Sequence, residues 1–592
     1  MTTSTQAATG NPETGTFWRY FMTSPTFWMV FFLALVVLGL ALPIRLPLGP
    51  NYWDTDIYLD AAQRIWQGQI PNIDFFTSIG PLGFYLTAGI KALFPQAQPA
   101  LLANWAIVPV LLPIAALIAR DVAPRSRRLA LAILIPLLFL TSLPINLHSL
   151  YPSPGFDGFG YYNRHVALLL YLLLAALLFV ESRILLTTLV AVLMAALFLV
   201  KVTGPVSGAV LVGYAVLAGR LRFRDAAIAA GAVIACLGVI EITTGVVYAY
   251  VEDVLVLAML NSASFLRRFL TLGSIKFNVI APCLMLLGVL AVAAGREKHS
   301  LASLLASPLG WLSASLFALI LGETQNSGSL EFIGLWPVLI LILRAYYPRS
   351  DDRLRPYVLV LVMAAALPSA VIFLERGARA VIAAPRYQAL DVPDVGPLGR
   401  VSLKPELAER AIAQVDHYPK YNDAYEDLVR RGLLPSATLF SEIDHQATWL
   451  LEVQQGIDAI KHWEATNGRQ LNGFFALDFV SPFNHLLGRA APLHVALGID
   501  TERTNPRVTA EMLEALRDID AIMRPKCPVE VKRAAIWKQY AQALEGRQLV
   551  ALSPCWDMYL RKLNRPVEAR IDSGLGLFAG ANALDADALS SE

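Results

Sequence analysis

Four carboxylates, Asp54, Asp56, Asp60 and Asp74, share the stretch from Asn51 to Phe94, which directly follows the first apolar run of the chain. Trp53, Tyr58 and Trp66 are interleaved with them, and these ring types favour the level at which bilayer meets water. An acid held there could take a proton from a hydroxyl while the membrane presents a lipid-carried substrate. From Asp56 to Gln67 the residues Ile57, Tyr58, Ala61, Ala62, Ile65 and Trp66 recur on one helical face, and Asp56, Asp60, Gln63 and Gln67 share the other. The pattern predicts an amphipathic helix lying on the outer leaflet, with Asp54 or Thr55 as its N-cap. Two readings of the acids stand side by side. In one, Asp54 satisfies backbone N–H groups and Asp60 pairs with Arg64 at i,i+4; in the other, one of the acids is catalytic.

A phosphate-bearing lipid substrate also calls for cations near the same level. Lys201 separates two apolar runs, and an ionisable residue so placed is costly and by default a functional hypothesis, with snorkelling from a tight turn as the alternative. Arg164 opens an apolar run beside Asn163, whose amide could bind a sugar, and headgroup anchoring explains both residues equally well. Arg267 and Arg268 lie on an apolar segment with the marks of an interfacial helix. Asp157 is a candidate second acid. Glu323 and Gln325, in a polar turn between two apolar runs, are candidates to line a shared cavity.

The elements that must position these residues follow from composition. The chain has 592 residues, 56% hydrophobic and 16% charged, with a mean hydropathy of +0.52, which makes it an integral membrane protein. Apolar runs near 26–44, 98–119, 129–145, 165–181, 184–200, 202–219, 226–250, 276–295, 303–321, 330–347 and 356–374 give about eleven spans. Residues 79–94 are broken by Gly80, Pro81, Gly83 and Gly89 and carry Lys91, so they are read as a helix at the interface. With the N-terminus inside, short loops rich in arginine, such as those holding Arg125, Arg127 and Arg128 or Arg220, Arg222 and Arg224, face the cytoplasm. The acidic loop and the C-terminus then face outward. Residues 1–25 read as a disordered cytoplasmic tail without a cleavable signal, 26–375 as the membrane domain with its outer loop at 45–97, and 376–592 as an outer α/β domain. No dense basic tract points to nucleic acid.

Within that outer domain, 437–440, 474–479, 520–523 and 548–552 read as strands, and 405–414, 456–464, 507–517 and 529–544 as helices. Cys527 and Cys555 are its two cysteines, and an oxidising compartment would permit a disulfide between them. Asp444 with His445, and Asp478 with His485, tempt toward hydrolysis, yet no nucleophile elbow, metal spacing or phosphate loop accompanies them. Trp449, Trp463 and Trp556 could stack on sugars, although most tryptophans of such a domain are core.

An Asp after the first span, then Tyr58-Leu59-Asp60-Ala61-Ala62 with Ile65-Trp66 and Gly68, then Pro71-x-x-Asp74-Phe75-Phe76 and Gly80-Pro81-Leu82-x-Phe84-Tyr85-Leu86, resembles the first outer loop of the polyprenyl-phosphate-dependent membrane glycosyltransferases of the GT-C fold, in particular the protein-mannosyltransferase and aminoarabinose-transferase branch. In that family an Asp at this place acts as general base on the acceptor. The matching position is Asp54, with Asp56 as the fallback, because many relatives have Asp-Glu where this chain has Asp54-Thr55-Asp56, and Pro-Pro where it has Gly80-Pro81. The resemblance implies a polyprenyl-phosphate sugar donor, a glycan, lipid or protein acceptor, inversion at the sugar carbon, and a bacterial cytoplasmic membrane with the C-terminal domain helping to bind the acceptor. It fits designs with and without a divalent metal. A transporter or flippase of a lipid-linked saccharide is the rival reading, and it would need a path through the bilayer in place of a closed cavity with acid and cation converging.

Overall fold

Backbone polar groups within a bilayer must be satisfied inside the chain, so long apolar runs fold as helices. In the computed structural model, residues 22–147, 153–261, 265–296, 300–324, 332–348, 352–434, 443–501 and 508–562 are described. Among the described residues, six helical stretches are long and apolar enough to cross a membrane: Pro99–Val122, Tyr161–Phe179, Arg183–Val200, Phe223–Thr244, Phe277–Gly295 and Arg355–Arg386. Shorter apolar helices lie at Pro25–Ala41, Leu82–Leu93, Thr203–Leu217, Pro308–Glu323 and Ile333–Tyr346. The chain is a multi-pass helical membrane protein. Helix Tyr161–Phe179 runs through its centre and is 89% buried, whereas Phe223–Thr244 is 6% buried and turns apolar side chains such as Ile234 and Ile242 outward, where only lipid suits them.

The run at 129–145 forms helix Arg127–Thr141, which packs against Pro25–Ala41 and Tyr161–Phe179. The 79–94 stretch folds as helix Leu82–Leu93. The last of the long apolar helices passes the composition change at 376 and ends at Ala383, carrying Arg376 inward to pair with Asp157. Of the expected tail at 1–25, residues 1–21 lie outside the described residues, as do the strand at 437–440 and Gln325, and Pro25 already opens helix Pro25–Ala41.

Two sheets fix the acidic loop. In the first, β1 (Leu46–Pro47) runs parallel to β3 (Val401–Leu403), and β2 (Gln388–Ala389) closes the other edge of β3 antiparallel, so the segment entering the loop is stapled to the chain that follows the last long apolar helix. Leu48 also bridges to Phe156. This crossing needs backbone contact: a β-carbon at Gly49 would overlap the Phe156 carbonyl, and one at Gly158 would overlap the Cα of Tyr52. The chain therefore reaches Asp54 along a track held from two sides.

The second sheet has the order β4-β5-β7-β6, with β4 (Phe474–Ala476) parallel to β5 (Ala521–Pro525), and β7 (Trp556–Leu560) antiparallel to both β5 and β6 (Gln548–Ser553). Helix Ile443–Asn467 carries Trp449 into the core and donates Glu452 to the buried charge cluster described below. The Trp556 ring nitrogen donates to the Glu452 carbonyl at 2.7 Å, and Trp449 and Trp556 are both buried, so these rings are core rather than sugar platforms. Cys527 and Cys555 are joined by a disulfide. Helices Pro405–His417, Ala510–Asp518 and Val531–Gln539 match the sequence pattern to within a few residues.

Candidate active site

Helix Asp54–Trp66 is the element on which the candidate site is built. Its start is set by a turn in which the N–H groups of Asp54, Thr55 and Asp56 donate to the carbonyls of Asn51, Tyr52 and Trp53. The residue before it, Trp53, supplies no side-chain cap, so Asp54 is the first helical residue and not the N-cap. Thr55 is buried, its hydroxyl 3.1 Å from the Gly158 carbonyl and 3.0 Å from the Tyr161 hydroxyl. Asp54 is half-buried and borders a cavity of about 330 Å³. Aromatic rings from three stretches enclose it: Trp53 and Tyr58, then Phe159, Tyr161 and Tyr162, then Phe479.

Most of the helix is packed inside the protein, where its spacing suggested a surface position. Its expected polar face is covered by the C-terminal sheet region, leaving Asp56 at 0%, Asp60 at 2% and Arg64 at 1% exposure. Asp56 Oδ1 meets His485 Nε2 at 2.6 Å, Arg64 pairs with Asp60 at 3.0 Å and donates to the Pro492 carbonyl at 2.7 Å, and Gln67 donates to the Arg489 carbonyl at 2.8 Å. Phe76 adds two backbone hydrogen bonds to Val495 and Leu497. The acids that amphipathic spacing placed against water thus form an interface within the chain. Burial raises the Asp56 carboxyl above the usual carboxylate range, and the His485 imidazole opposes that shift.

Of the expected cations, neither Lys201 nor Arg164 lines the cavity, and each lies 4.7 Å from the centre of a tyrosine ring that does, Tyr162 and Tyr161 respectively. Lys201 ends helix Arg183–Val200, its ammonium 2.9 Å from the Asn163 side-chain oxygen. Gly80 meets the same turn, donating to the Val200 carbonyl at 3.0 Å. Arg164 is placed otherwise: it is buried and donates to the side-chain oxygens of Asn104 and Asn146 and to the Phe159 carbonyl, at 3.0, 2.6 and 3.0 Å. Asp157, fully buried, is gripped by Arg376 at 2.8 and 2.9 Å and accepts the Asn146 N–H at 2.6 Å, so it braces the loop before Tyr161 without lining the cavity. Asp74 Oδ2 accepts the Ile70 N–H at 2.6 Å within its own turn. Arg267 and Arg268 sit on helix Phe265–Ile275 and Glu323 ends helix Pro308–Glu323; none of the three is among the cavity's lining residues.

The C-terminal region brings Asp478, weighed in the sequence only as part of a hydrolytic pair, and three residues that sequence reasoning passed over, Asp500, Glu530 and Lys532. All four line the cavity. Behind them Arg533, buried, pairs with Glu452 at 2.8 Å and Asp478 at 2.7 Å. Burial pushes the Glu452 and Glu530 carboxyls up to about 8; the nearby Asp478 adds to the rise and the Arg533 guanidinium opposes it. The signal available was Glu530 directly before a helical run that opens Val531-Lys532-Arg533, an acid at an N-cap followed by two cations. Among the described residues no group of three or more His, Cys, Asp or Glu could hold a metal ion, and no step below is routed through one.

One further contact gives the loop a pH dependence. Asn72 donates to Asp253, on helix Val246–Asn261, at 2.8 Å, and burial raises that carboxyl to about 7. A carboxyl whose folded value exceeds its open-state value of about 4 contributes stability fully below pH ~4 and loses it as pH rises through about 7. Amide exchange over 246–261, corrected for its chemical rate, is therefore expected to be faster at pH 8 than at pH 6, with Asp253→Asn removing the difference. Equal protection of the wild-type segment at the two pH values would rule this coupling out.

No family model matches the sequence, and no curated protein matches it. Among solved structures the chain is similar to the crystal structure of ArnT from Cupriavidus metallidurans bound to undecaprenyl phosphate, with 11% identity, 91% of this chain and 99% of that chain covered, and a TM-score of 0.39. It is also similar to ArnT from the same organism in the apo state, at 12% identity, 91% and 98% coverage, and a TM-score of 0.37. Likeness at that distance leaves the function to the cavity itself.

Proposed function

We propose that the protein is a membrane glycosyltransferase, moving a sugar from a polyprenyl-phosphate donor to a hydroxyl of an envelope glycan, lipid or protein acceptor, with Asp54 as general base. The observation that carries this reading is the division of labour between neighbouring acids: Asp54 borders an aromatic-walled cavity, while Asp56 is bound to His485. The family resemblance of the first loop left the choice between them open. In the proposed step Asp54 takes the acceptor's proton, the oxygen attacks the anomeric carbon, and the bond from that carbon to the phosphate oxygen breaks. Charge then collects on the leaving polyprenyl phosphate. Lys201, beneath Tyr162, is the cation proposed to receive it, held in place by Asn163. Arginine-rich loops on the opposite side support an outward-facing cavity on a bacterial cytoplasmic membrane, with residues 26–375 as membrane domain and 376–592 as outer domain.

The test is transfer of labelled sugar from a panel of polyprenyl-phosphate donors to envelope acceptors by the purified protein. Product formation supports the enzyme; donor binding with no transfer across the panel would overturn it in favour of a lipid-linked saccharide transporter. Lys201→Met is expected to weaken polyprenyl-phosphate binding roughly 10- to 100-fold, the loss that one charge-assisted hydrogen bond implies. Scintillation-proximity binding measures this directly, and unchanged affinity would remove Lys201 from the phosphate site.

A further inference from the structure

The wall that the C-terminal region gives to the cavity is built differently from the wall that carries Asp54. Helix Val531–Gln539 presents Lys532 and Ile536, one turn apart, to the cavity, and turns Arg533 inward to the buried acids. Lys532 donates to Asp500 at 3.1 Å, and the two side chains keep 26% and 12% exposure at the cavity edge. Glu530 caps the helix with one carboxyl oxygen, accepting the Arg533 N–H at 3.3 Å. Its other oxygen, Oε2, is buried with no hydrogen-bond partner, although the side chain is 1% exposed and borders the cavity. A buried acceptor left in that state costs about 1–3 kcal/mol unless a ligand group meets it.

We propose that Glu530, Lys532 and Asp500 form a subsite that binds the hydroxyls of a sugar ring. The chemistry is specific to such a ligand in three ways. With three carboxyls around Arg533, burial holds Glu530 protonated at neutral pH, its value raised to about 8, so it offers both an O–H donor and an acceptor. An ammonium and a carboxylate already paired with each other present a donor and an acceptor side by side, matched to neighbouring hydroxyls without any change of net charge. Phe479, half-buried at the cavity wall and backed by the Trp53 ring at 5.1 Å, supplies an apolar surface for the C–H side of a pyranose. An anionic ligand fits poorly beside Asp478 and Asp500, and a bare cation would find Lys532 in its way.

This deepens the glycosyltransferase reading by giving ring recognition to the C-terminal region, and its test is kept independent of turnover. Saturation-transfer NMR on the full-length detergent-solubilised protein, with the methyl pyranosides of glucose, galactose and mannose and with inorganic phosphate as probes, should show binding of at least one glycoside. Glu530→Leu and Lys532→Met should each weaken that binding about fivefold or more, while Glu530→Gln, which keeps a donor and an acceptor, should retain it. A capping role alone would also spare Gln over Leu, because the Gln amide oxygen can still accept the Arg533 N–H, so melting curves decide: glycoside binding lost in Glu530→Leu at an unchanged melting temperature supports the subsite, and loss only in step with melting overturns it. Binding of no glycoside, or binding indifferent to both Leu and Met variants, would overturn the subsite. Ring binding without sugar transfer would leave the subsite standing and remove the enzyme. Where transfer is seen, a rise in KM for the donor or for the acceptor tells whose ring is bound.

Discussion

Asp54→Asn is expected to lower sugar transfer by about 10²- to 10⁴-fold, the contribution of a positioned general base, while donor binding and melting temperature stay at wild-type values. The substitution keeps size and hydrogen-bonding capacity and takes away the ability to accept a proton. It should not disturb the helix start, because that start is made by backbone donation to the Asn51, Tyr52 and Trp53 carbonyls and by Thr55. Asp56→Asn should behave in the opposite way. That residue holds His485, far along the chain, and its loss should lower melting temperature and loosen the C-terminal region more than it slows the chemical step. Single-turnover transfer measured for both variants alongside thermal melts distinguishes the roles. Transfer within a few-fold of wild type in Asp54→Asn would sink the base assignment, and a collapse confined to Asp56→Asn would move it two residues on.

The contrast between these two acids shows what the sequence could and could not say. Contacts set by helical spacing were legible: Asp60 and Arg64 pair at i,i+4 as the pattern predicts. The periodicity also placed the helix correctly, yet it misjudged what covers the helix, because acids on one face read equally as facing water or as facing buried partners. His485, Pro492 and Arg489 arrive from more than 400 positions away, and nothing local announces them. Arg164 shows the same limit from the other side. A cation at the start of an apolar run is ambiguous between a phosphate ligand and a core donor, and the asparagines that hold its guanidinium, Asn104 and Asn146, belong to two other segments. Lys201 was conspicuous because its cost is local, an ammonium between two apolar helices. Lys532 and Glu530 were not, because charged residues on a helix of a mixed sheet region are ordinary until a cavity is seen beside them.

Arg376→Met is expected to cause the largest loss of stability, about 3–5 kcal/mol, as removal of one member of a buried ion pair does. Its guanidinium meets both Asp157 oxygens at 2.8 and 2.9 Å and also the Asn146 carbonyl, and the two side chains are 9% and 0% exposed. Without the cation, Asp157 is a carboxylate held away from water beside the apolar helices, and the loop it anchors should give way. That loop leads into Phe159, Gly160 and Tyr161, which border the cavity, so transfer should fall along with stability. Adding Asp157→Asn to Arg376→Met takes away the uncompensated charge and should recover more than half of the lost stability, since coupled partners are strongly non-additive. The same pair of variants tests the reading of Asp157 as a second catalytic acid. A bracing residue predicts that transfer returns with stability in the double variant. A catalytic one predicts a stable double variant that stays inactive, together with an Asp157→Asn single variant that is folded and dead. Melting temperature and transfer, measured on all three proteins, decide between the two, and recovery of stability without recovery of transfer would return Asp157 to the reaction itself.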